Sequence, residues 1–334
     1  MNARLAAFLL TLLCWGGHAG AAGPLGVDEV APGVFVHQGL VGDWGPGNGG
    51  DVANLGFVVG QRCVAVIDSG GTPAVGEALR AAVARTTPLP VCYVINTHAH
   101  PDHLLGNIAF AGATETAPRF VGHARLPAAL RAREPYLRNA LQRDFGLPLA
   151  ADAIVYPTLL VERRLELDLG DRTLQLDAWP TAHTDNDLTV FDTRTRTLFL
   201  ADLLFVEHLP VLDGSLRGWI AVMAELGRLD VATVVPGHGP VSNDWPAAMD
   251  AQAAYLGGLL RDTRAAVKRQ LTIQQSIERI GIPPGPPWVL TDRFHRRNVT
   301  AAFAELEWED DDPVPPAAPP STGSSSLGAR GGPG

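Results

Sequence analysis

The sequence predicts a mixed α/β protein whose chemistry sits at the C-terminal ends of its strands. Three observations point there. Apolar strand-like runs alternate with helical patterns through the first two thirds of the chain. One strand–helix–strand unit is well marked, from Val64–Ile67 through a helix to Val91–Ile95. That unit ends in Thr97-His98-Ala99-His100-Pro101-Asp102-His103, where open α/β sheets place their sites. Three imidazoles and a carboxylate in one turn cost burial energy unless something binds them. Metal ligation is the chemistry that needs such density.

Residues 30–68 predict a β meander with strands at Val34–Val36, Leu55–Val59 and Val64–Ile67. Between the first two lies a glycine-rich loop, Gly42 to Gly50, holding Asp43, Trp44 and Asn48. A helix from about Pro73 to Arg85 gathers Val75, Leu79, Ala82 and Val83 on one face. Residues 124–145 predict an arginine-rich helix broken near Pro135. Leu165–Leu169 and Thr173–Leu176 predict a hairpin around Gly170-Asp171, followed by strands Leu188–Phe191, Thr197–Leu200 and Val231–Val235. Beyond Pro240 the pattern turns helical. Pro246 occupies an expected first helical position, and Thr272 with Gln275 predicts a capping box for a helix ended by Gly281.

The 334 residues are 46% hydrophobic and 18% charged, which describes a globular chain with a sizeable core. The net charge of −9 owes much to Glu305, Glu307 and Glu309 to Asp312, and no basic stripe tracks phosphates, which argues against nucleic acid as a partner. Arg4, the apolar run Leu5–Leu13 and Ala19-Gly20-Ala21 predict an export signal over residues 1–22, hence a periplasmic or secreted protein. An uncleaved anchor is the alternative, and Leu13 argues against Cys14 as a lipoprotein cysteine. Of the remaining cysteines, Cys63 and Cys92, an oxidising compartment permits a bridge, but parallel strands seldom align two sulfurs, so buried free thiols are favoured. The expected organisation is a core over 23–245, a helical part over 246–312 packed on it, and a disordered tail over 313–334.

Three later residues complete the histidine run. His183, Asp202 and His238 each follow an apolar stretch, and glycines flank His238. Together these seven positions resemble the metallo-β-lactamase superfamily pattern: His-x-His-x-Asp-His, then His, Asp and His. The resemblance implies an α/β fold of four layers, an αββα sandwich, with a dinuclear site on one edge. It implies that His98, His100 and His183 bind one metal, that Asp102, His103 and His238 bind a second, and that Asp202 bridges them. Two Zn2+ ions suit this nitrogen and oxygen donor set, and iron is held by the same ligand types. The implied activity is a metal-dependent hydrolase in which a metal-bridging hydroxide attacks an ester, thioester, lactone or amide carbonyl, with Asp102 moving the proton to the leaving group. Thr97, Asp68, Asp185 and Asn186 are candidates to orient the ligands.

Asp202 replaces the cysteine of classical subclass B1 lactamases, so this chain is more similar to glyoxalase-II-type thioesterases. The short span from His183 to His238 leaves no room for the inserted domain of the nucleic-acid-cutting branch. Gly50-Asp51-Val52-Ala53-Asn54-Leu55-Gly56-Phe57 and His208-Leu209-Pro210-Val211-Leu212-Asp213-Gly214-Ser215 resemble the quinoprotein relay system zinc metallohydrolases. That resemblance implies an exported hydrolase of a small molecule, associated with a periplasmic quinoprotein dehydrogenase or c-type cytochrome system. An iron-dependent oxidoreductase of persulfide dioxygenase type, a non-enzymatic dehydrogenase partner and a β-lactamase remain as alternatives. Trp44, Asn48, Asp51 and His208 are candidate substrate contacts. Trp219 is expected in the core, the arginines of 125–143 on a solvated helix face, and His37, His123 and His295 in structural or exposed places.

Overall fold

A computed structural model describes residues 25–112, 117–149 and 153–309. The expected export signal with Cys14, Asp310 to Asp312 and the tail over 313–334 lie outside the described residues. In chain order the strands and helices are β1 (Asp28–Ala31), β2 (Val34–His37), β3 (Leu55–Val59), β4 (Val64–Ile67), α1 (Pro73–Thr86), β5 (Val91–Asn96), α2 (Pro101–Leu104), β6 (Arg119–His123), α3 (Leu126–Phe145), β7 (Leu159–Val161), β8 (Arg164–Asp168), β9 (Thr173–Ala178), β10 (Leu188–Asp192), β11 (Thr197–Phe205), α4 (Leu216–Leu226), β12 (Thr233–His238), α5 (Asp250–Lys268), α6 (Ile273–Arg279) and α7 (Thr291–Leu306).

Side-chain alternation shows how the layers form. On β3, Leu55 and Phe57 face α1, whereas Val58 faces the second sheet; on β4, Val64 and Val66 face α1, whereas Ala65 and Ile67 face inward. Successive strand residues point to opposite faces, so strands apolar on both faces are covered on both. The first sheet runs β1 to β7 in sequence order, antiparallel to β4 and parallel from there. The second runs β12-β11-β10-β9-β8. Its one parallel pair, β11 with β12, is joined through α4, as a parallel crossover requires. Val58, Ile67 and Ile95 of one sheet meet Leu176, Val190 and Phe199 of the other in a shared apolar layer. Gly56 permits that approach, because a Cβ there would lie 2.3 Å from the Phe199 ring. On the outer face of the second sheet, Leu198 and Leu200 pack with Trp219 of α4, Leu256 and Leu259 of α5, and Val299 of α7. The result is the expected αββα sandwich, with the C-terminal helices sharing its core.

Four local expectations are corrected. Helix α3 runs unbroken through Pro135. An internal proline costs about 3 kcal/mol, but Leu130, Leu137 and Leu141 are buried along one side of the helix, and each contributes about 1.5–3 kcal/mol. Helix α5 starts at Asp250 rather than Pro246, which follows a cis peptide bond and precedes a 3-10 turn, Ala247–Met249. Strand β11 continues past Leu200 to Phe205, with register irregularities around Ala201. Cys63 and Cys92 are bridged, with Cα atoms 5.7 Å apart. The β4–β5 register is irregular there: Val64 pairs with Val91 and Ala65 with Tyr93, so Cys92 falls out of step and reaches Cys63. The capping box of α6 forms as expected, Thr272 Oγ1 accepting from Gln275 N and Thr272 N donating to Gln275 Oε1.

Candidate metal centre

Strand ends from both sheets carry the cluster. β5 delivers Thr97 and His98; His100 caps the short helix α2, which carries Asp102 and His103. His183 lies between β9 and β10, Asp202 within β11 and His238 at the end of β12. Ala201 sits in the left-handed region at φ 45° and marks the irregularity that precedes Asp202. Gly237 is required beside it, since a Cβ there would stand 1.9 Å from Asp202 Oδ1.

The seven side chains fall into two groups, His98, His100, His183 and Asp202, and Asp102, His103 and His238, with the donor atoms of each group within 4.8 Å of one another. Asp202 reaches both groups, lying 3.6 Å from His98 Nε2, 3.3 Å from His183 Nε2, 3.1 Å from His103 Nε2 and 3.4 Å from His238 Nε2.

Each imidazole is oriented by its other nitrogen. His183 Nδ1 donates to Val211 O at 2.7 Å and His238 Nδ1 to Val52 O at 2.9 Å, which leaves both Nε2 lone pairs facing the cluster. His103 Nδ1 donates to Asp68 Oδ2 at 2.8 Å. The same oxygen accepts from Thr97 Oγ1 at 2.7 Å, and Thr97 Oγ1 stands 3.1 Å from His98 Nδ1. His100 is turned the other way, donating Nε2 to Asp213 Oδ2 at 3.0 Å and presenting Nδ1. One carboxylate, Asp68, thus holds a histidine of each group, directly or through Thr97. Asp68→Asn is expected to weaken metal affinity about 10–100-fold with little change in fold. Metal titration against a competing chelator checks this, and an unchanged affinity contradicts it.

The electrostatics favour a cation. Burial and the neighbouring His103 push His98 well below its ordinary value, and burial takes His183 down to about 3, so both are neutral donors at physiological pH. Burial would also lower His103, but Asp202, Asp102 and Asp68 outweigh it and raise the group well above the usual range. Burial opposes the charge on Asp202, yet His103, His238 and His98 hold its carboxyl well below the carboxylate range. His98 Nε2, His103 Nε2 and Asp202 Oδ1 are buried without a well-formed hydrogen bond, the last two facing each other at 3.1 Å. Such orphaned donors and acceptors are costly, and divalent cations held between these nitrogens and carboxylate oxygens would satisfy all three. The donor set therefore fits the metals that the sequence resemblance implies.

A cleft of about 510 Å3 opens above the cluster, with Asp102, Asp202, His100 and His238 in its floor. Trp44 lines it, with its ring 4.9 Å from Phe145 and Nε1 donating to Gly71 O. His208 lines it as well, nearly buried against Phe205, His238 and Phe294; burial lowers it to about 4, and Nδ1 donates to Leu209 O. Asn48 does not line it, contrary to expectation. Its amide donates to Asp43 O and accepts from Gly45 N and Gly50 N, so it braces the loop that carries Trp44. Asp51 likewise accepts from His37 Nε2. Trp219 is fully buried, donating to Leu203 O beneath the His183 ring. His123 accepts from Arg125 N, and His295 meets Tyr255 and Ile280 O.

Sequence reasoning missed several contributors. Asp187 fixes the His183 loop by accepting from Thr184 N and Oγ1, with burial raising its carboxyl to about 8, while Asn186 N donates to the same Thr184 Oγ1 and Asn186 Nδ2 to Asp185 Oδ1. Asn54 donates to Pro236 O and Gly239 O and so clamps the His238 turn. Asp213 orients His100, and Arg133 of α3 with Arg293, Phe294 and Arg297 of α7 walls the cleft. Asn54 and Asp213 stand inside the two loop motifs quoted above, and an acid ending the apolar run Leu209–Leu212 was the available signal.

A two-sheet sandwich with histidines and aspartates gathered at one edge defines an α/β protein built around a candidate divalent-metal site. The family model for the metallo-beta-lactamase superfamily matches residues 48–238, more than half of the chain, and the chain belongs to that superfamily. Its fold is similar to a stereoselective inverting sec-alkylsulfatase from Pseudomonas sp., at TM-score 0.64 and 15% identity, over 85% of this chain and 50% of the other. The chain thus spans about half the length of that enzyme. It is also similar to a metallo-beta-lactamase from Pontibacter korlensis, at TM-score 0.56 and 18% identity over 70% of this chain and 99% of the other. A metallo-beta-lactamase from Hirschia baltica matches at TM-score 0.54 and 16% identity, over 70% and 97%. At these identities the likeness is one of fold.

Proposed function

We propose that the chain is a dinuclear zinc hydrolase acting on an ester, thioester, lactone or amide of a small molecule. The observation that carries this reading is the division of seven donor residues, six buried and His100 half-buried, into two adjoining groups that share Asp202, each imidazole locked with one nitrogen turned inward. His98, His100 and His183 would hold one ion, Asp102, His103 and His238 the other, with Asp202 between them. Ions bound there supply Lewis acidity and a water activated near neutral pH. The protein does the rest. Asp68, Asp213, Val211 O and Val52 O fix the imidazoles, so the donors need no reorganisation. Asp102 faces the cleft with its side chain 11% exposed and is the carboxylate placed to take a proton and return it to a leaving group. Trp44 and Phe294 bound the cleft with apolar surface that excludes water.

Export is part of the proposal, supported by Arg4, Leu5–Leu13 and Ala19 to Ala21 together with the Cys63–Cys92 bridge, which suits an oxidising compartment. The loops Gly50–Phe57 and His208–Ser215 support an association with a periplasmic quinoprotein dehydrogenase system. The test is hydrolysis of a panel of aryl esters, thioesters, lactones and nitrocefin by purified protein. Turnover of at least one carbonyl substrate, abolished by a chelator and restored by zinc, is expected. Chelator-insensitive turnover, or persulfide-dependent oxygen uptake restored only by iron, contradicts the proposal.

A further inference from the structure

Asp213 is joined by more cations than it can neutralise. Its Oδ2 accepts from His100 Nε2 at 3.0 Å and from Arg133 Nη2 at 2.7 Å, and its Oδ1 accepts from Arg297 Nη2 at 2.7 Å. The two guanidiniums come from different helices, Arg133 from α3 and Arg297 from α7, and both line the cleft. The other cleft arginines are matched one to one, Arg143 with Asp144 and Arg293 with Asp43. The buried pair Arg172–Asp192 is one to one and bidentate. Two guanidiniums on one carboxylate leave a surplus positive charge. Each contributes a single nitrogen to Asp213, and among the described residues neither has another hydrogen-bond partner. A guanidinium carries five N–H donors in a fixed fork, so most of the donor capacity of the pair remains for a ligand. The fork geometry matches planar or tetrahedral oxyanions. The pair also stands beside His100, within one side chain of the reacting centre.

We infer that Arg133 and Arg297 form an anion-recognition pair, so that the substrate is a hydrolysable molecule with a carboxylate or sulfate group set apart from the scissile bond. The inference rests on the hydrolase reading above and adds the substrate class to it. In it Asp213 is a positioning residue: it spaces the two forks and ties them to His100. The pair selects for charge, so neutral esters of similar size bind as though the pair were absent.

Calorimetric titration of the full-length, metal-loaded protein with succinate, and separately with methyl sulfate, at constant ionic strength tests this. Wild-type protein is expected to bind at least one probe, and the tighter of the two names the oxyacid. Arg133→Gln and Arg297→Gln are each expected to weaken that binding roughly tenfold or more, as loss of a charge-assisted hydrogen-bond donor does. Arg→Lys at either position is expected to recover part of it. The exposed control Arg164→Gln, paired with Asp177 away from the cleft, leaves it unchanged. Metal content is measured on the same samples. Full metal content with probe affinity equal in wild type and both glutamine variants overturns this inference alone, because the probe then sits on the metals or elsewhere. Absence of metal from the wild type counts against the hydrolase reading, while the comparison of variants still decides the arginine pair.

Discussion

Asp202→Ala is expected to strip the protein of most of its metal and to lower hydrolysis by on the order of 1,000-fold or more, the several kcal/mol that metal-ion catalysis supplies. Asp202 lies within 3.6 Å of histidine Nε2 atoms of both groups, and its Oδ1 is buried beside His103 Nε2 at 3.1 Å. Truncation removes the shared donor and the charge that offsets two cations. The fold is expected to survive, because the carboxylate contributes to the cluster rather than to the apolar layers. His100→Ala should behave similarly but lose one ion more readily than the other, since it belongs to a single group. Elemental analysis with far-UV circular dichroism checks both variants. Wild-type metal content in folded Asp202→Ala protein contradicts the assignment.

Arg172→Ala is expected to cost about 3–5 kcal/mol of stability without touching the site. Arg172 and Asp192 are 3% and 0% exposed in their side chains, joined by two hydrogen bonds of 2.9 and 2.7 Å. Arg172 also donates to Val59 O of the first sheet, and Gly33 leaves room for it, since a Cβ there would meet Nη1 at 2.4 Å. Removing the guanidinium strands the Asp192 carboxylate, with Thr195 as its remaining donor. Burial alone would raise Asp192, but the hydrogen bonds and charge of Arg172 with those of Thr195 hold it below the usual carboxylate value. A depressed folded value means the pair stabilises above the unfolded carboxylate range near pH 4 and loses that stabilisation as pH falls through the folded value. Urea unfolding at neutral and acidic pH measures both effects. A variant within about 0.5 kcal/mol of wild type, the range of ordinary surface changes, contradicts this account.

Much of the candidate site was legible because the residues that could hold a metal are local. His98 to His103 occupy one strand end and one short helix, and His183, Asp202 and His238 each close or interrupt a strand whose apolar pattern marks it. Thr97 and Asp68 could be named for the same reason. What escaped was set by packing between distant elements. Arg297 reaches the cleft only because α7 docks through Phe294, Val299 and Leu306 on the outer face of the second sheet. Nothing in the helical pattern of the C-terminal part says which way that face turns. The disulfide depends on a register irregularity at Cys92, and a regular parallel register gave no reason to expect it. Helix α3 ignores the proline rule because its buried leucines outweigh it. Asn48 illustrates the opposite error. Its polar side chain in a loop over the cleft suggested contact with substrate, yet the backbone of the glycine-rich turn consumes its hydrogen bonds.

Inductively coupled plasma mass spectrometry of the purified protein counts the metal ions that a dinuclear centre would hold. Two zinc ions per chain are expected, falling to one or fewer in Asp202→Ala. A single iron per chain, or a folded protein that binds no divalent metal at neutral pH, would contradict the dinuclear zinc proposal.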